Sequence, residues 1–524
     1  MPGDGYLTVG RHPARDATPA MTNCEPRHQR RNPALSFVRE AVQMFLGEAW
    51  RSGERLDLTC VDRLCEWALS PDPQVARAAT AAVFGGIIEP LCDDFSSEGV
   101  NAANLVLTRM LQWIRATPQG MELDRRLNDF GFADVDSILR RYKQISRPTP
   151  LAPSRLASVG KVIILSRVTA GADIAISNVI VQRLRQRLPK AELIMIGPSH
   201  LPGLFASVAG CRFRNFVYKN DGGLFEKMTS WPRLVELTAK ECDGFKAHEV
   251  LLFDPDTRLT QLGLLPLVPE GSTCYFPSRM TPAPELADSN LSILANEWLN
   301  CLLGEDKRWR PSITFPCNGH GYHSFVGSLR DRGCRLAVAI NFGVGNDPRK
   351  RVGDDFEARV VSTLLAIPDT VVILDTGRGV HKEQWIQGHL DQVAQLGLPA
   401  IRLAEDELKT CRPAFGHGLI VFRGLLGSLG KMIAAADCFI GYDSCGQHLA
   451  DATGTPAVVL FAGAPSERFI RRWSPEGPDS RIIPVSGRLA TPEAMETLIQ
   501  TVTQAVEELR ASQSNRDNHA INKT

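Results

Sequence analysis

Apolar residues recur every three or four positions between Phe37 and Ile145, as in Phe37, Val38, Ala41, Val42, Phe45 and Leu46, and again in Leu105, Val106, Met110, Leu111 and Ile114. That spacing gathers them on one stripe of an α-helix, so residues 35–146 are expected to form an all-helical domain. Residues 1–34 hold Pro, Arg, Asn and Gly with few apolar positions, the composition of a flexible lead-in. The run Arg147-Pro-Thr-Pro-Leu-Ala-Pro-Ser154 interrupts helix and stiffens the backbone, and it predicts a linker over 147–158.

From residue 159 the pattern changes to short β-branched runs separated by longer amphipathic stretches. Lys161–Leu165, Glu192–Ile196 and Val250–Phe253 read as buried parallel strands, with a helix from Asp173 to Leu188. Residues 159–330 form one Rossmann-like half. A Pro- and Gly-bearing stretch near 305–333 then connects to a second run of strands at Leu336–Ile340, Thr370–Leu374, Asp437–Ile440 and Ala457–Phe461. This second half covers 331–511 and closes with a helix opened by Thr491-Pro-Glu-Ala, while 512–524 is polar and expected to fray. The fold class is α/β, with two Rossmann-like halves preceded by a helical domain.

Composition narrows the functions available. Lys plus Arg number 59 against 58 for Asp plus Glu among 524 residues, so no overall field draws nucleic acid, and any anion site is local. With 44% hydrophobic and 22% charged residues the chain is that of a globular protein. Its 13 cysteines follow no regular spacing, which points to reduced thiols and a cytoplasmic setting, and Cys60, Cys65 and Cys92 read as core residues. The first residues show no secretory pattern, and apolar runs such as Ala457–Ala464 fall short of the roughly 20 residues of a membrane span. At most, peripheral association with a membrane is expected.

The segment carrying most chemical information is Gly441-Tyr-Asp-Ser-Cys-Gly-Gln-His-Leu-Ala450, a polar turn between a strand and a helix. A helix start offers free amides and partial positive charge, so Ser444, Cys445 and Gly446 can hold a diphosphate, with Asp443 and His448 beside it. Equally, Asp443 or Ser444 can be a plain N-cap and His448 a satisfied core histidine.

The run Leu429-Gly-Lys-Met-Ile-Ala-Ala-Ala-Asp-Cys-Phe-Ile-Gly-Tyr-Asp-Ser-Cys-Gly-Gln-His-Leu-Ala-Asp-Ala-Thr-Gly-Thr-Pro456, continued by Val458-Val-Leu-Phe-Ala-Gly463 and Trp473-Ser-Pro475, resembles the heptosyltransferase family, glycosyltransferase family nine. Asn341–Arg351 stands where that family has a glycine-bearing loop and a Lys-Arg-Trp, with Val352 in place of the Trp. Val162–Asp173 is similar to its opening strand and Gly-Asp turn, with Ala172 inserted, and Phe253–Arg258 to a later strand-Asp segment. Cys445-Gly446 replaces the usual Gly-Pro or Gly-x. The resemblance spans roughly 159–480 and leaves the helical block outside.

What the resemblance implies is a GT-B-type glycosyltransferase that moves a sugar from a nucleotide diphosphate to an acceptor hydroxyl with inversion, commonly without a metal, so no cofactor is expected. ADP-heptose is the implied donor. The implied acceptor is a glycan, lipid-linked or protein hydroxyl, in surface glycan or lipopolysaccharide synthesis at the inner face of the cytoplasmic membrane. Asp173 is the candidate base, with Asp254 and Asp256 in reserve, while Lys350 and Arg351 are candidate phosphate contacts and Glu383 a candidate ribose contact. The plain alternatives are a helix cap at Asp173 and a solvated basic face at Arg349–Arg351. The cluster from Cys317 to His323 lacks the ligands of a tetrahedral zinc site. A nucleotide-sugar epimerase and a non-catalytic sugar-nucleotide scaffold are rival readings. A dinucleotide oxidoreductase is disfavoured, because Thr169–Asp173 lacks Gly-x-Gly-x-x-Gly.

Overall fold

The computed structural model describes residues 38, 40–43, 45 and 56–521, except 220–221, 316–319, 346, 378–382, 478 and 486–490. The predicted lead-in, 1–34, lies outside them. The helical block contains α1 (Thr59–Trp67), α2 (Pro73–Ala81), α3 (Ser97–Arg115), α4 (Met121–Asp129) and α5 (Val135–Ile145). Short polar side chains start its helices: Asp72 accepts from the Gln74 amide at 2.8 Å, Ser96 from Gly99 at 3.0 Å and Asp134 from Ser137 at 2.6 Å. α2 runs through a π-helical stretch, Ala82–Ile88, into Glu89–Asp93. The resulting 21 residues are long and apolar enough to cross a membrane by length and composition, which the reading of single apolar runs missed. Val83, Ile87 and Leu91 on it are core residues of the block.

The first sheet is wholly parallel, in the order β3-β2-β1-β4-β5, from β1 (Lys161–Leu165), β2 (Glu192–Gly197), β3 (Cys211–Asn215), β4 (Val250–Asp254) and β5 (Thr273–Tyr275). Its connecting helices include α6 (Asn178–Arg187) and α7 (Trp231–Cys242), and α8 (Leu291–Leu303) follows β5. Alternation sends Val162, Ile164, Leu193, Met195, Leu251 and Phe253 to one face, against α6 and α8. Ile163, Leu165, Ile194, Ile196, Val250 and Leu252 face the other way, into one core with Leu64, Val106, Leu111 and Ile114 of the helical block.

The helical block therefore shares a core with the first sheet across the linker drawn at 147–158. Between β4 and β5 the chain makes only short 3₁₀ turns, so this connection supplies no crossover helix to that face, and the block covers it. Tyr142 stacks edge-on against Tyr275 at 5.6 Å, and the buried Arg141 donates to the Gly263 carbonyl at 2.8 Å. The proline-rich segment is docked as well: the Leu151 amide donates to the Leu302 carbonyl at 2.9 Å, and Pro153–Ser158 is a short helix. The block also reaches the second half, where Phe95, in a left-handed backbone conformation (φ 53°), meets the rings of Phe469 and Trp473 at 6.2 and 6.4 Å.

The second sheet is parallel in the order β12-β11-β10-β6-β7-β9-β8. Its strands are β6 (Leu336–Asn341), β7 (Thr370–Asp375), β8 (Ala400–Ala404), β9 (Gly418–Arg423), β10 (Cys438–Tyr442), β11 (Ala457–Ala462) and β12 (Ser480–Val485). The helices are α9 (His320–Arg330), α10 (Asp354–Leu365), α11 (Glu383–Gln395), α12 (Leu426–Ala435), α13 (Cys445–Thr453), α14 (Glu467–Trp473) and α15 (Pro492–Ile521). α15 passes residue 512, where fraying was expected, and ends at Ile521. Two Rossmann-like halves behind a helical block match the expected GT-B-type architecture.

Candidate functional site

In the second half the polar turn follows β10 and opens α13. Ser444 is the N-cap in an extended conformation, yet its hydroxyl accepts no capping hydrogen bond and is buried without a partner. The adjoining Asp443 accepts from Gln447 Nε2 at 2.7 Å and from Lys350 Nζ at 2.5 Å, while Gln447 Oε1 is buried and unpartnered. Lys350 comes from the turn after β6 and also lies over the Phe469 ring, 5.3 Å from its centre. A cation and a helix start therefore converge here, with two polar atoms left unsatisfied. The Ser444 hydroxyl, the first amides of α13 and Lys350 can donate to an oxyanion, whereas the Gln447 oxygen, an acceptor, cannot.

Gly446 plays a different part from the one expected. A Cβ there would come 2.4 Å from a ring carbon of Phe439, so the glycine admits the ring, and no approach by a phosphate is needed to explain it. Burial pushes the Cys445 thiol up to about 11. His448 is buried and burial depresses it to about 4, which keeps it neutral, and its ring lies 5.9 Å from that of Trp473.

Two predicted donor contacts do not join this group. Arg351 is engaged by the buried Glu357, with Nε 2.8 Å from Oε1, and by Asp354 at 2.6 Å, so its fork is already used in tying the loop to α10. Glu383, at the start of α11, is 66% exposed and paired with Arg402 at 2.6 Å. The Cys317 end of the Cys/His cluster lies outside the described residues, among which no group of three His, Cys, Asp or Glu can hold a metal.

The first half presents its own turn directly opposite. A Cβ on Gly171 would stand 3.1 Å from His448 Cδ2 and 3.4 Å from Cys445 Cα, so the halves touch here through a residue that has no side chain. The extra residue Ala172 is followed by a π-helical turn, Asp173–Ser177, the usual way a helix absorbs one inserted residue. Asp173 is fully buried. Its carboxylate accepts from Ser166 Oγ at 2.6 Å, the Arg167 amide at 2.8 Å and Ser177 Oγ at 2.9 Å, and lies 3.0 Å from His200 Nε2.

In that arrangement the Asp173 carboxylate is buried and not open to the cleft. Its four partners occupy the lone pairs a substrate proton would need. The reserve residues are sealed too: Asp254 accepts from the Thr257 amide at 3.0 Å and Thr260 Oγ1 at 2.5 Å, with burial pushing it up to about 6. Asp256 accepts from Tyr275 and Ser278 hydroxyls, both at 2.8 Å, and pairs with Arg279 at 2.7 Å. Two groups escaped the reading of the sequence. His200 follows β2, at the carboxyl end of a parallel strand, where binding residues collect in such sheets. Asp93 ends the long helix of the helical block, and burial pushes it up to about 6 despite Arg279 nearby. It lines a cavity of about 30 Å³ with Glu89, Tyr218, Arg258 and Arg279, room for about one water molecule.

No family model matches the chain, and none of the curated proteins matches it. Among solved structures it is similar to a family 9 glycosyl transferase from Veillonella parvula, with 14% identity and a TM-score of 0.47, over 67% of this chain and 98% of that one. It is similar also to the ADP-heptose lps heptosyltransferase II of E. coli, with 14% identity and a TM-score of 0.45, over 68% of this chain and 99% of that one. The E. coli heptosyltransferase WaaC with ADP-2-deoxy-2-fluoro heptose matches at 12% identity and a TM-score of 0.39, over 65% and 99%.

Proposed function

We propose that this chain is a glycosyltransferase that binds a nucleotide diphosphate sugar at the Asp443–Gly446 turn and transfers the sugar, with inversion, to an acceptor hydroxyl. The observation that carries the reading is the buried, unpartnered Ser444 hydroxyl at the start of α13, between Asp443, which holds Lys350, and Cys445, which abuts the Gly171 turn of the other half. Transfer requires little else of the second half. As the bond from the anomeric carbon to the diphosphate breaks, negative charge grows on the leaving oxygens. The first amides of α13 and the Lys350 ammonium are placed to meet it. The run 429–456 supports an ADP-heptose-like donor and a glycan, lipid-linked or protein acceptor, with the enzyme at the inner face of the cytoplasmic membrane.

A second reading, a sugar-nucleotide-binding protein without transfer, is favoured by the burial of Asp173, Asp254 and Asp256. Calorimetry with ADP, UDP and their sugars tests the donor site itself. Wild type is expected to bind at least one nucleoside diphosphate, and Lys350→Ala to bind it about tenfold more weakly through loss of a charge-assisted contact. Equal affinity in both proteins removes Lys350 and its turn from the site.

A further inference from the structure

The acids expected to act as base are sealed, yet one of them is in contact with a group that is not. His200 Nε2 lies 3.0 Å from Asp173 Oδ2, and its side chain is 20% exposed while that of Asp173 is fully buried. We propose that His200 takes the proton of the acceptor hydroxyl and that Asp173 is the positioning residue that orients it. The proposal rests on the glycosyltransferase reading above.

Three fixed donors hold the Asp173 carboxylate: two hydroxyls, from Ser166 and Ser177, and the Arg167 amide. Its remaining neighbour is the imidazole. A carboxylate accepts, so Nε2 carries the hydrogen of this pair, and in the neutral ring the lone pair is then on Nδ1. His200 stands between β2 and the short helix Leu201–Phe205. This segment also touches the second half: a Cβ on Gly427, in α12, would lie 2.9 Å from the Gly203 carbonyl oxygen. Asp173, for its part, lies two residues beyond Gly171, which abuts Cys445 at the start of α13. The dyad thus stands one hydrogen bond from the segment that meets the diphosphate turn.

In the step this geometry supports, the acceptor oxygen forms its bond to the anomeric carbon while the bond from that carbon to the diphosphate oxygen breaks, with the electron pair leaving on the diphosphate. The acceptor proton passes to Nδ1, giving an imidazolium opposite Asp173, and returns to solvent after the products leave. Asp173 itself never becomes protonated. The inserted Ala172 gains a meaning here, because the π-turn that follows it begins at Asp173, whose carboxylate faces His200 rather than the cleft.

The test uses the full chain, with ADP-heptose, ADP-glucose and UDP-glucose as donors and methyl glycosides and water as acceptors, reading nucleoside diphosphate release. Because Asp173 is buried, His200 is tested first. His200→Ala is expected to keep wild-type affinity for the nucleoside diphosphate and to lose on the order of a hundredfold in kcat, with partial recovery on adding imidazole. Asp173→Asn, where it folds, is expected to lower kcat and leave the donor KM unchanged. In protein labelled with ¹⁵N-histidine, the His200 ring should show hydrogen on Nε2 and a bare Nδ1, a pattern a purely structural contact in the other tautomer would not give. Unchanged turnover in His200→Ala overturns the dyad, as does hydrogen on Nδ1 in a neutral ring. Collapse of turnover in Asp93→Asn while His200→Ala stays active would hand the proton to the helical block instead. Nucleotide binding by wild type with no release from any donor also counts against the dyad. Absence of nucleotide binding is the separate result that defeats the donor reading and takes the dyad with it.

Discussion

The two halves meet at two turns that are built in opposite ways. In the first half every partner Asp173 needs is present, and the sheet beneath it is closed by a helical block that precedes the fold in sequence. In the second half one face of the sheet keeps its own core, while Ala339, Phe439, Val459 and Phe461 on the other join the first half, and the turn above leaves Ser444 Oγ and Gln447 Oε1 buried without partners. An unsatisfied buried polar group costs about 1–3 kcal/mol. The second turn thus carries two polar atoms without a partner, and the Asp173 carboxylate of the first is fully engaged. His200 is the exception that links them, since it is the partly exposed member of an otherwise sealed cluster.

The contrast can be broken most forcefully by removing residues 1–155. That deletion exposes Ile163, Leu165, Ile194 and Ile196 on an uncovered sheet face, and the first half is expected to lose fixed packing while the second keeps it. Near-UV circular dichroism, dye binding and amide exchange resolved by half would show it, and a product with native exchange in both halves would restore an independent helical domain.

Next in size is Asp173→Ala, which strands several buried donors and is expected to cost about 3–5 kcal/mol in denaturant unfolding. A cost below about 1 kcal/mol would mean the cluster is not framework.

The buried histidines of the second half and Asp254 of the first should answer pH with opposite signs. His448 and His389, both buried, fall from 6.5 when unfolded to about 4 when folded. Their contribution is present above pH 6.5 and is lost as pH drops toward 4, up to about 3 kcal/mol each. Asp254 in the first half rises from 3.8 to about 6, so its contribution is present below 3.8 and is lost as pH climbs through 6. Between pH 7 and 4.5, exchange protection in the second half is expected to fall, and His448→Gln to flatten that fall. Equal behaviour of the two halves would erase the distinction.

The smallest effect belongs to Ser444→Ala. A hydroxyl without a partner adds little to the fold, so stability should stay within about 1 kcal/mol of wild type while nucleoside diphosphate affinity falls a few-fold. Destabilisation without any change in binding would make Ser444 a cap after all.

Much of the second half was legible because its central strands are continuous apolar runs, the mark of parallel strands covered on both faces. β3, β5, β8 and β12 escaped that reading at the sheet edges, three of them largely exposed or half-buried, and so did β9, a buried strand between β7 and β8. The Asp443–His448 turn was legible as strand, polar turn and helix start. Glu357, which engages Arg351, sits only six positions away, but nothing in periodicity says that one buries and the other reaches for it.

By itself the sequence determined most of the helices and of the central strands, β9 excepted, the existence of two parallel sheets, and the placing of a polar turn at the mouth of one of them. These follow from local spacing and capping, which act within a few residues. Tertiary structure alone decided that the helical block and the first sheet share a core, because a hydrophobic stripe specifies that a face is buried and not what buries it. It also decided that Asp173 faces His200, 27 positions away, in place of the cleft. Burial and partnership of a charge depend on what the rest of the chain brings to it, and that was settled only when β1 and β2 were laid side by side.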